Sequence, residues 1–390
     1  MTTAARPPAA DGRVILPGAR LAVLGGGQLG MMFATVARRM GYRIEVFSET
    51  TDCPAARHCD RLHVVSFDDP EGVTRHAAGV DAVTFEFENV PAAVATALAR
   101  TLRVRPSPAV LHTVQDRARE KSFLVAHGFP VVPHRLIRVA GDLDDAAATV
   151  GFPAVAKTAA FGYDGKGQRR IADRSELTRA WEQLGPGAIV LESWIDFEAE
   201  LSVVAARGAD GDIAAFPTAW NRHRDHVLDV TLSPAPLAEA VLEEARGIAG
   251  RILGALDLVG VACVEFFLGR DGRLVVNEIA PRPHNSGHLT VEAGACSQFE
   301  QQLRALCGLP LGSTWQPRPA AMANLLGDCW NEGEPDWAAA LEVPGVSLTL
   351  YGKSQPRPGR KMGHLTAVAE TVAAAEASVI LARERACRRR

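Results

Sequence analysis

The stretches Val259-Gly-Val-Ala-Cys-Val-Glu-Phe-Phe-Leu268 and Leu274-Val-Val-Asn-Glu-Ile279 decide the fold of this chain. Both are short apolar runs rich in valine, phenylalanine or isoleucine, a composition typical of buried strands. Asp271-Gly272 lies between them, and this dipeptide is a strong hairpin signal. We therefore expect two antiparallel strands, in which the end of the second returns beside the middle of the first.

Three polar residues interrupt the predicted hairpin, namely Glu265, Asn277 and Glu278. A carboxylate in an apolar strand is unfavourable unless it is paired with a cation or bound to a metal. Two acids and an amide form an oxygen-only ligand set, which suits Mg²⁺ held together with substrate phosphates, and Mn²⁺ is compatible with the same set. We predict that Glu265 and Glu278 bind the metal. The alternative is that nearby arginines neutralise both acids.

A glycine-rich loop precedes the hairpin in the middle of the chain. Gly151-Phe-Pro-Ala-Val-Ala-Lys157 resembles a strand that ends on a lysine, and Gly162-Tyr-Asp-Gly-Lys-Gly-Gln168 follows it. Unhindered backbone N–H groups in such a loop can hold an anion, while the lysine supplies compensating charge. The loop is not a Walker loop, because GxxxxGK[ST] is absent. The loop alone is equally compatible with a mobile hairpin tip and a solvated lysine.

A second glycine loop lies near the start of the chain, where Leu21-Ala-Val-Leu24 leads into Gly25-Gly-Gly-Gln-Leu-Gly30. Apolar residues then repeat at helical spacing up to Met40, and Tyr42 to Phe47 is strand-like. This order predicts a Rossmann-like strand–loop–helix–strand unit. The loop satisfies GxGxxG, and Glu49 lies near the position of a ribose-binding acid. The pattern fits a dinucleotide site, or a tight turn that only lets helix and strand pack.

The region after this unit contains two further acids and a boundary. Residues 83–88 alternate apolar and polar side chains and are predicted as a strand, with Glu86 and Glu88 on one face. The two acids either bind a substrate amine or hydroxyl group, or form a solvated edge. Arg105-Pro-Ser-Pro108 marks a domain boundary, and a helix from Asp116 to His127 opens the next domain.

The last part of the chain is predicted to form a small unit with a basic loop. Met322 to Gly327 and Ser347 to Tyr351 are strand-like, and Leu365 to Ala386 is predicted as an alanine-rich helix. Between them, residues 353–361 carry four positive charges and no acid. Without further information this stretch is a solvated loop, whereas its arginines also suit bidentate binding of a phosphate.

Composition excludes several classes of protein. The 390 residues carry 42 Lys+Arg against 45 Asp+Glu, which argues against a dedicated nucleic-acid or membrane-surface binder. No apolar run is long enough to span a membrane, and the first 13 residues lack the apolar core of a signal peptide. The seven cysteines contain no CxxC pair, so we expect neither a disulfide framework nor a zinc site. A cytoplasmic enzyme is the default expectation.

Motifs along the chain resemble the ATP-grasp superfamily. The matching positions are Lys157, Gly162–Gln168, Val190-Leu-Glu192, Glu200, Glu265 and Asn277-Glu278. Two basic signatures are more specific, Pro281-Arg-Pro-His-Asn-Ser-Gly-His288 and Arg357-Pro-Gly-Arg-Lys-Met-Gly-His364. Together with GGGQLG at 25–30, they are similar to signatures of the 5-(carboxyamino)imidazole ribonucleotide synthase family of purine biosynthesis. The resemblance covers about residues 21–364.

This resemblance implies a fold of α/β and α+β character in three domains. We expect a flexible tail over residues 1–18, a Rossmann-like pre-ATP-grasp domain over 19–115, an ATP-grasp domain of two lobes over 116–316, and a C-terminal domain over 317–390. The implied reaction joins bicarbonate to the amine of aminoimidazole ribonucleotide and splits ATP to ADP and phosphate. The family also implies a homodimer in the cytoplasm.

The resemblance also assigns roles to individual residues. It places around ATP the residues Arg117, Lys157, Gly162, Tyr163, Asp164, Gly165, Lys166, Gly167, Gln168, Glu192, Ile195, Glu200, His223, Asn277 and Glu278. It places at the reacting groups Tyr163, Asp164, His284, Asn285 and Lys353. From the chemistry of the reaction we add Arg282 for charge neutralisation and expect Asp164 as the base, with His284 as the alternative. It places at the ribonucleotide Gly27, Gln28, Leu29, Glu88, Lys353, Arg360 and Lys361.

Two alternatives stay open at this point. The first is another ATP-grasp ligase, such as a formate-dependent glycinamide ribonucleotide transformylase or a biotin carboxylase, and the two basic signatures argue against it. The second is a dinucleotide-binding oxidoreductase or a non-catalytic nucleotide sensor. Glu265 and Glu278 argue against both members of that second class, because neither needs a two-carboxylate metal site.

Overall fold

The computed structural model describes residues 13–160, 167–184 and 187–387, which form three β-sheets flanked by helices. Within this part of the chain, none of the helices has both the length and the apolar character needed to cross a membrane. The predicted combination of a Rossmann-like domain, an ATP-grasp domain and a C-terminal domain is confirmed.

The first sheet is parallel and has five strands in the order β3-β2-β1-β4-β5. Its elements are β1 (Arg20–Leu24), α1 (Gln28–Arg39), β2 (Arg43–Ser48), β3 (Arg61–Val64), α2 (Pro70–His76), β4 (Ala82–Phe85), α3 (Ala92–Ala99), β5 (Arg103–Val104) and α4 (Pro108–Val114). Apolar side chains cover both faces of the sheet, as parallel strands require. The carboxyl ends of β1 and β4 therefore meet at one edge, where the glycine loop begins.

The second sheet is a small antiparallel one in the order β6-β9-β7-β8. Its elements are α5 (Arg117–Ala126), β6 (His134–Ile137), α6 (Leu143–Val150), β7 (Ala154–Thr158), β8 (Gln168–Ile171), α7 (Arg174–Leu184) and β9 (Ile189–Ser193). The predicted helix at 116–127 is confirmed, and the Asp116 side chain caps it by accepting from the Arg119 N–H at 2.9 Å.

The third sheet is antiparallel and contains the predicted hairpin. Its strands follow the order β15-β14-β10-β12-β13-β16-β18-β17, and β11 pairs with β10. Its elements are β10 (Phe197–Arg207), β11 (Ile213–Ala215), β12 (Ala219–Arg224), β13 (Val227–Ser233), α8 (Glu239–Ala255), β14 (Gly260–Gly269), β15 (Leu274–Ala280), α9 (Thr290–Ala293), α10 (Gln298–Cys307), β16 (Ala320–Leu326), α11 (Trp337–Leu341), β17 (Val346–Leu350), β18 (Lys361–Val368) and α12 (Val372–Cys387). The C-terminal strands thus continue the sheet that carries the hairpin.

Helix α10 joins the first sheet to the third sheet, because it contacts α1 and β4 on one side and β10 and β14 on the other. Phe299 and Leu303 on this helix are fully buried in the same apolar cluster as Met31 of α1. The Arg105 guanidinium donates to the Ala305 carbonyl at 2.7 Å. The first sheet and the hairpin sheet therefore share a packed interface, which fixes the walls of the cavity between them.

Three expectations were wrong. The strand predicted at 83–88 ends at Phe85, because Glu86 turns towards the glycine loop. Residues 365–368 belong to β18 and not to a helix, because they pair with residues 320–323 of β16, and alanine-rich spacing alone does not distinguish the two structures. Cys329 and Cys387 form a disulfide across 58 residues with Cα atoms 4.9 Å apart, a long-range pairing that spacing does not reveal.

Candidate active site

A cavity of about 420 Å³ lies between the glycine loop of the first domain and the hairpin. Residues predicted to bind ATP, residues predicted at the reacting groups and residues predicted to bind the ribonucleotide all line it. Its described lining includes Gly27, Gln28, Leu29, Glu88, Arg117, Glu278, Arg282, His284, Asn285 and Lys361. A concave site with several convergent charged groups is the usual form of a binding site for a small anionic molecule.

The hairpin places its acids opposite each other. Glu265 on β14 pairs directly with Glu278 on β15. The register shifts at the next residue, because Phe266 pairs with Val276. Asn277 is therefore left without an opposite residue and is the extra residue of a β-bulge. A bulge re-aims side chains that would otherwise alternate between faces. Asn277 accordingly reaches the site side, where its Oδ1 lies 3.4 Å from the Lys157 Nζ.

Burial and mutual repulsion raise the pKa of Glu265 to about 8. Burial is the larger cause, the facing Glu278 carboxylate is the next, and His223 and Arg282 oppose them. Carboxylates in such a position can ionise together when a cation lies between them. The donor set of two carboxylates and an amide fits Mg²⁺ in its chemistry, because hard cations prefer oxygen ligands.

A buried charge cluster lies on the side of the second sheet. The Lys157 ammonium donates to Glu192 at 2.8 Å, and Lys121 lies 3.6 Å from the other oxygen of the same carboxylate. Burial opposes ionisation of Glu192, but the two lysines outweigh it and lower its pKa to about 2. Lys121 also donates to the Asn277 carbonyl at 2.9 Å. Lys157 is suited to bind a phosphate beside the hairpin, whereas Lys121 is fully buried, has its pKa lowered by burial, and is bonded to the hairpin backbone.

Sequence reasoning missed Lys121 and its neighbour Glu120, because charged residues on a helix are usually solvated. Glu120 is almost fully buried, and it accepts from the Ile279 N–H at 3.2 Å. Burial raises the pKa of Glu120 to about 8. The contacts of Glu120 and Lys121 with β15 show that the face of α5 that carries them supports the hairpin. Arg117 on the same helix donates to Glu278 at 3.0 Å.

Other ATP-side positions lie around the same hairpin. The Glu200 carboxylate lies 2.6 Å from Nδ1 of His223, and this contact outweighs burial and raises the pKa of His223. Ile195 follows β9 in the connection to β10. Gln168 pairs with Lys157 across β7 and β8, so the last residue of the predicted anion loop lies beside the lysine. Gly162, Tyr163, Asp164, Gly165 and Lys166 lie outside the described residues, whereas Gly167 lies inside them.

The opposite wall of the cavity carries a cationic group. Arg282 makes a bidentate ion pair with Glu88, with one arm at 2.9 Å. His284 lies 3.1 Å from Glu265 through its Nε2. Burial lowers the pKa of His284 well below its ordinary value, and Arg282 and Lys361 reinforce the effect. The Asn285 side chain is buried, and neither of its polar atoms has a partner among the described residues.

The basic stretch approaches this wall through one of its residues. Of the described residues, Lys361 lines the cavity, whereas Lys353 and Arg360 do not. The Lys353 ammonium donates to the Lys361 carbonyl at 2.6 Å. The Arg360 guanidinium donates to the Gln355 carbonyl at 2.7 Å. Lys353 thus fixes the backbone that presents Lys361.

The N-terminal glycine loop encloses a carboxylate of the chain itself. The backbone N–H groups of Gly27 and Gly30 both donate to Glu86, the second at 2.6 Å. A Cβ atom at Gly27 would lie 2.7 Å from Glu86 Oε1. Glu86 therefore explains the glycine pattern, and it occupies N–H groups that a dinucleotide pyrophosphate would need.

The two basic signatures meet in the interior. The rings of His288 and His364, the last residues of the signatures, have centroids 4.9 Å apart and are fully buried. Tyr351 bonds His364 Nδ1 at 2.9 Å, and Gln298 lies 3.3 Å from His288 Nδ1. The Gln298 side chain also accepts from the His284 N–H at 2.8 Å and donates to the His284 carbonyl at 2.7 Å. The histidine pair thus links the C-terminal strands to the wall of the cavity.

Comparisons with known proteins agree with this architecture. Residues 19–115 match the ribonucleotide synthetase preATP-grasp domain, residues 122–299 the ATP-grasp domain, and residues 320–378 the phosphoribosylaminoimidazole carboxylase C-terminal domain. The chain is 42% identical over 360 residues to N5-carboxyaminoimidazole ribonucleotide synthase of Brucella melitensis, covering 92% of this chain and 98% of that protein.

Solved structures give the same result. N5-carboxyaminoimidazole synthetase from Staphylococcus aureus complexed with ADP is 33% identical with a TM-score of 0.89, covering 95% of this chain and 98% of that one. The Aspergillus clavatus synthase in complex with ADP and 5-aminoimidazole ribonucleotide is 29% identical with a TM-score of 0.83, covering 96% and 100%. The chain therefore belongs to the N5-carboxyaminoimidazole ribonucleotide synthase family of ATP-grasp ligases.

Proposed function

We propose that the chain carboxylates the amine of 5-aminoimidazole ribonucleotide with bicarbonate and ATP, giving N5-carboxyaminoimidazole ribonucleotide, ADP and phosphate. The observation that carries this proposal is the hairpin. Asn277 contacts Lys157 on the nucleotide side, while Glu265 contacts His284 on the cavity side. One rigid element therefore joins a phosphate-binding cluster to a cavity for a second anionic substrate.

ATP lies between the second sheet and the hairpin in this proposal. Lys157 neutralises phosphate charge, Glu192 holds Lys157 in place, and the buried Lys121 supports Glu192 and the hairpin backbone. Glu265 and Glu278, with Asn277 beside them, would hold Mg²⁺, which supplies charge neutralisation at the transferred phosphoryl group when it is bound. Arg117 orients Glu278 through its ion pair.

The first step activates bicarbonate, which is a poor electrophile. Attack of a bicarbonate oxygen on the γ-phosphorus breaks the bond to ADP and gives carboxyphosphate. Arg282 and Lys361 provide positive charge at the cavity wall for anions in this step. Carboxyphosphate and CO₂ are lost to water in an open site, so the reaction requires closure before transfer.

The second step transfers the carboxyl group to the substrate amine. The amine nitrogen bonds to the carboxyl carbon, phosphate leaves, and one proton must be removed from nitrogen. Asp164 is the preferred base. His284 is the alternative among the described residues, because its ring lines the cavity beside Glu265.

The test measures ADP release from MgATP with and without aminoimidazole ribonucleotide and bicarbonate. We expect release to depend on both, and labelled bicarbonate to appear in the ribonucleotide. ADP release that is indifferent to the ribonucleotide would contradict the proposal. Asp164→Asn and His284→Gln, compared at saturating substrates, separate the two bases, because loss of the base lowers kcat.

A homodimer and a cytoplasmic location also belong to this proposal. Both rest on membership of the family. Sedimentation of the purified chain across a range of concentrations tests the first, and fractionation of cells tests the second. A monomer at all concentrations would remove the dimer from the proposal.

A further inference from the structure

Cys263 is a buried thiol beside the proposed metal site, and the proposed reaction gives it no role. It lies two residues before Glu265 on β14, so the two side chains project from the same face of the strand. The Cys263 residue has no exposed surface. Its Sγ, a carboxylate oxygen of Glu265 and a ring nitrogen of His284 all lie within 4.8 Å of one another.

The surroundings hold His284 in the orientation that a ligand would need. Its Nδ1 bonds the Ser286 hydroxyl at 2.9 Å, which leaves Nε2 directed at Glu265, 3.1 Å away. The Ser202 hydroxyl donates to Ser286 at 2.8 Å and fixes it in turn. In the metal-free chain Nδ1 also accepts from the Ser286 backbone N–H at 3.3 Å. When a metal binds Nε2, the ring proton moves to Nδ1 and is donated to the Ser286 hydroxyl, as is usual for a metal-binding histidine.

We propose that Cys263, Glu265 and His284 bind a thiophilic divalent cation such as Zn²⁺ or Cd²⁺, and that this ion inhibits the enzyme. The three side chains supply sulfur, nitrogen and oxygen, which is a zinc donor set with the fourth position open. Ligand atoms around tetrahedral zinc are about 3.5 Å apart, so the three groups need only a small convergence. On binding, the thiol proton leaves to solvent and a metal–sulfur bond forms, without change of oxidation state.

Inhibition follows because Glu265 belongs to both ion sites. Mg²⁺ prefers oxygen ligands and has little affinity for sulfur, so Cys263 contributes nothing to the magnesium site. A thiophilic ion held by Cys263 and His284 removes Glu265 from the magnesium site. It also removes His284 from the cavity wall. The two ions therefore compete for one carboxylate.

The first experiment measures Cd²⁺ binding to the purified chain without nucleotide, so its outcome does not depend on the proposed reaction. We expect cadmium–thiolate absorbance in the ultraviolet to saturate with one fewer equivalent in Cys263→Ala than in the unaltered chain. Cys307→Ala is the matched control, because Cys307 is also fully buried but packs in the separate apolar cluster around α1. His284→Gln tests the same site without altering a cysteine.

The second experiment measures inhibition of ADP release by Zn²⁺ at fixed MgATP. We expect Cys263→Ala to retain its activity with Mg²⁺ and to require about tenfold more Zn²⁺ for half-inhibition. Cys307→Ala should respond like the unaltered chain. Equal cadmium stoichiometry in the unaltered chain, Cys263→Ala and His284→Gln would overturn the proposal, as would equal zinc sensitivity. Cys263→Val replaces the alanine variant if thermal melting shows that the latter is not folded.

Discussion

Glu86 and Glu265 are both carboxylates taken out of water, and burial raises the pKa of each. Their partners differ. Glu86 accepts two backbone N–H bonds from the glycine loop, whereas Glu265 faces a second carboxylate on the neighbouring strand. The chain itself completes the first site. In the second, Arg117 pairs with Glu278, but among the described residues the Glu265 carboxylate pairs only with the ring of His284, whose pKa is lowered, so the two acids still need a cation. A buried acid therefore indicates a metal site only where its surroundings leave negative charge uncompensated.

The largest expected effect is on catalysis, and it follows from removing the charge of Glu265. Glu265→Gln removes a charge of the proposed Mg²⁺ site and should lower kcat for ADP release by about a thousandfold. Folding should be preserved, because the substitution also removes repulsion from Glu278. An activity within a few-fold of the unaltered chain would show that Glu265 is not a metal ligand.

The next effect is on stability. Glu86→Gln leaves one of the two N–H groups facing an amide NH₂, and an unsatisfied buried donor costs about 1–3 kcal/mol. We expect the free energy of unfolding in urea to fall by that amount. The dissociation constant of MgATP, measured on the folded variant, should be unchanged. Weaker MgATP binding by Glu86→Gln, with an unchanged free energy of unfolding, would show that Glu86 serves the nucleotide site and not the fold.

Sequence analysis predicted the second carboxylate site and missed the first. The hairpin follows from Asp271-Gly272 between two apolar runs, and Glu265 is conspicuous inside it. The structural role of Glu86 depends on a contact across 56 residues with Gly30, which local patterns do not contain. For the same reason the spacing did not reveal the bulge at Asn277 or the burial of Lys121.

The C-terminal strands show the same limit. Alanine spacing is compatible with a helix and with a strand, so it does not show which of these two structures residues 365–368 form. Their pairing with β16 makes them a strand. The two basic signatures were recognised as motifs. The contact between His288 and His364 depends on the continuous third sheet and on α10, which no motif predicts.

The third effect concerns pH and these histidines. Burial lowers the pKa of His364 from 6.5 to about 3. Between these values the unfolded chain binds a proton that the folded chain does not, so stability falls as pH decreases below 6.5. The contribution approaches about 1.4 kcal/mol per pH unit, which is the limit for one group. His364→Gln should reduce the slope of unfolding free energy between pH 6.5 and 5, and exposed His127→Gln should not. An unchanged slope in His364→Gln would show that this ring is not held neutral.

The smallest expected effect is none. Because Glu86 occupies the N–H groups of Gly27 and Gly30, NAD should leave the melting temperature unchanged, whereas MgATP should raise it. The measurement is thermal melting with each ligand at the same concentration. A clear shift with NAD would restore the dinucleotide interpretation of the loop.

The most direct test of the comparison is binding of Mn²⁺ in the presence of ADP, followed by the electron paramagnetic resonance signal of the free ion. Mn²⁺ reports the oxygen-ligand site independently of turnover. We predict tight binding in the unaltered chain and in Glu86→Gln, and a loss of binding in Glu265→Gln and Glu278→Gln. Undiminished Mn²⁺ binding in Glu265→Gln and Glu278→Gln, or its loss in folded Glu86→Gln, would contradict the account.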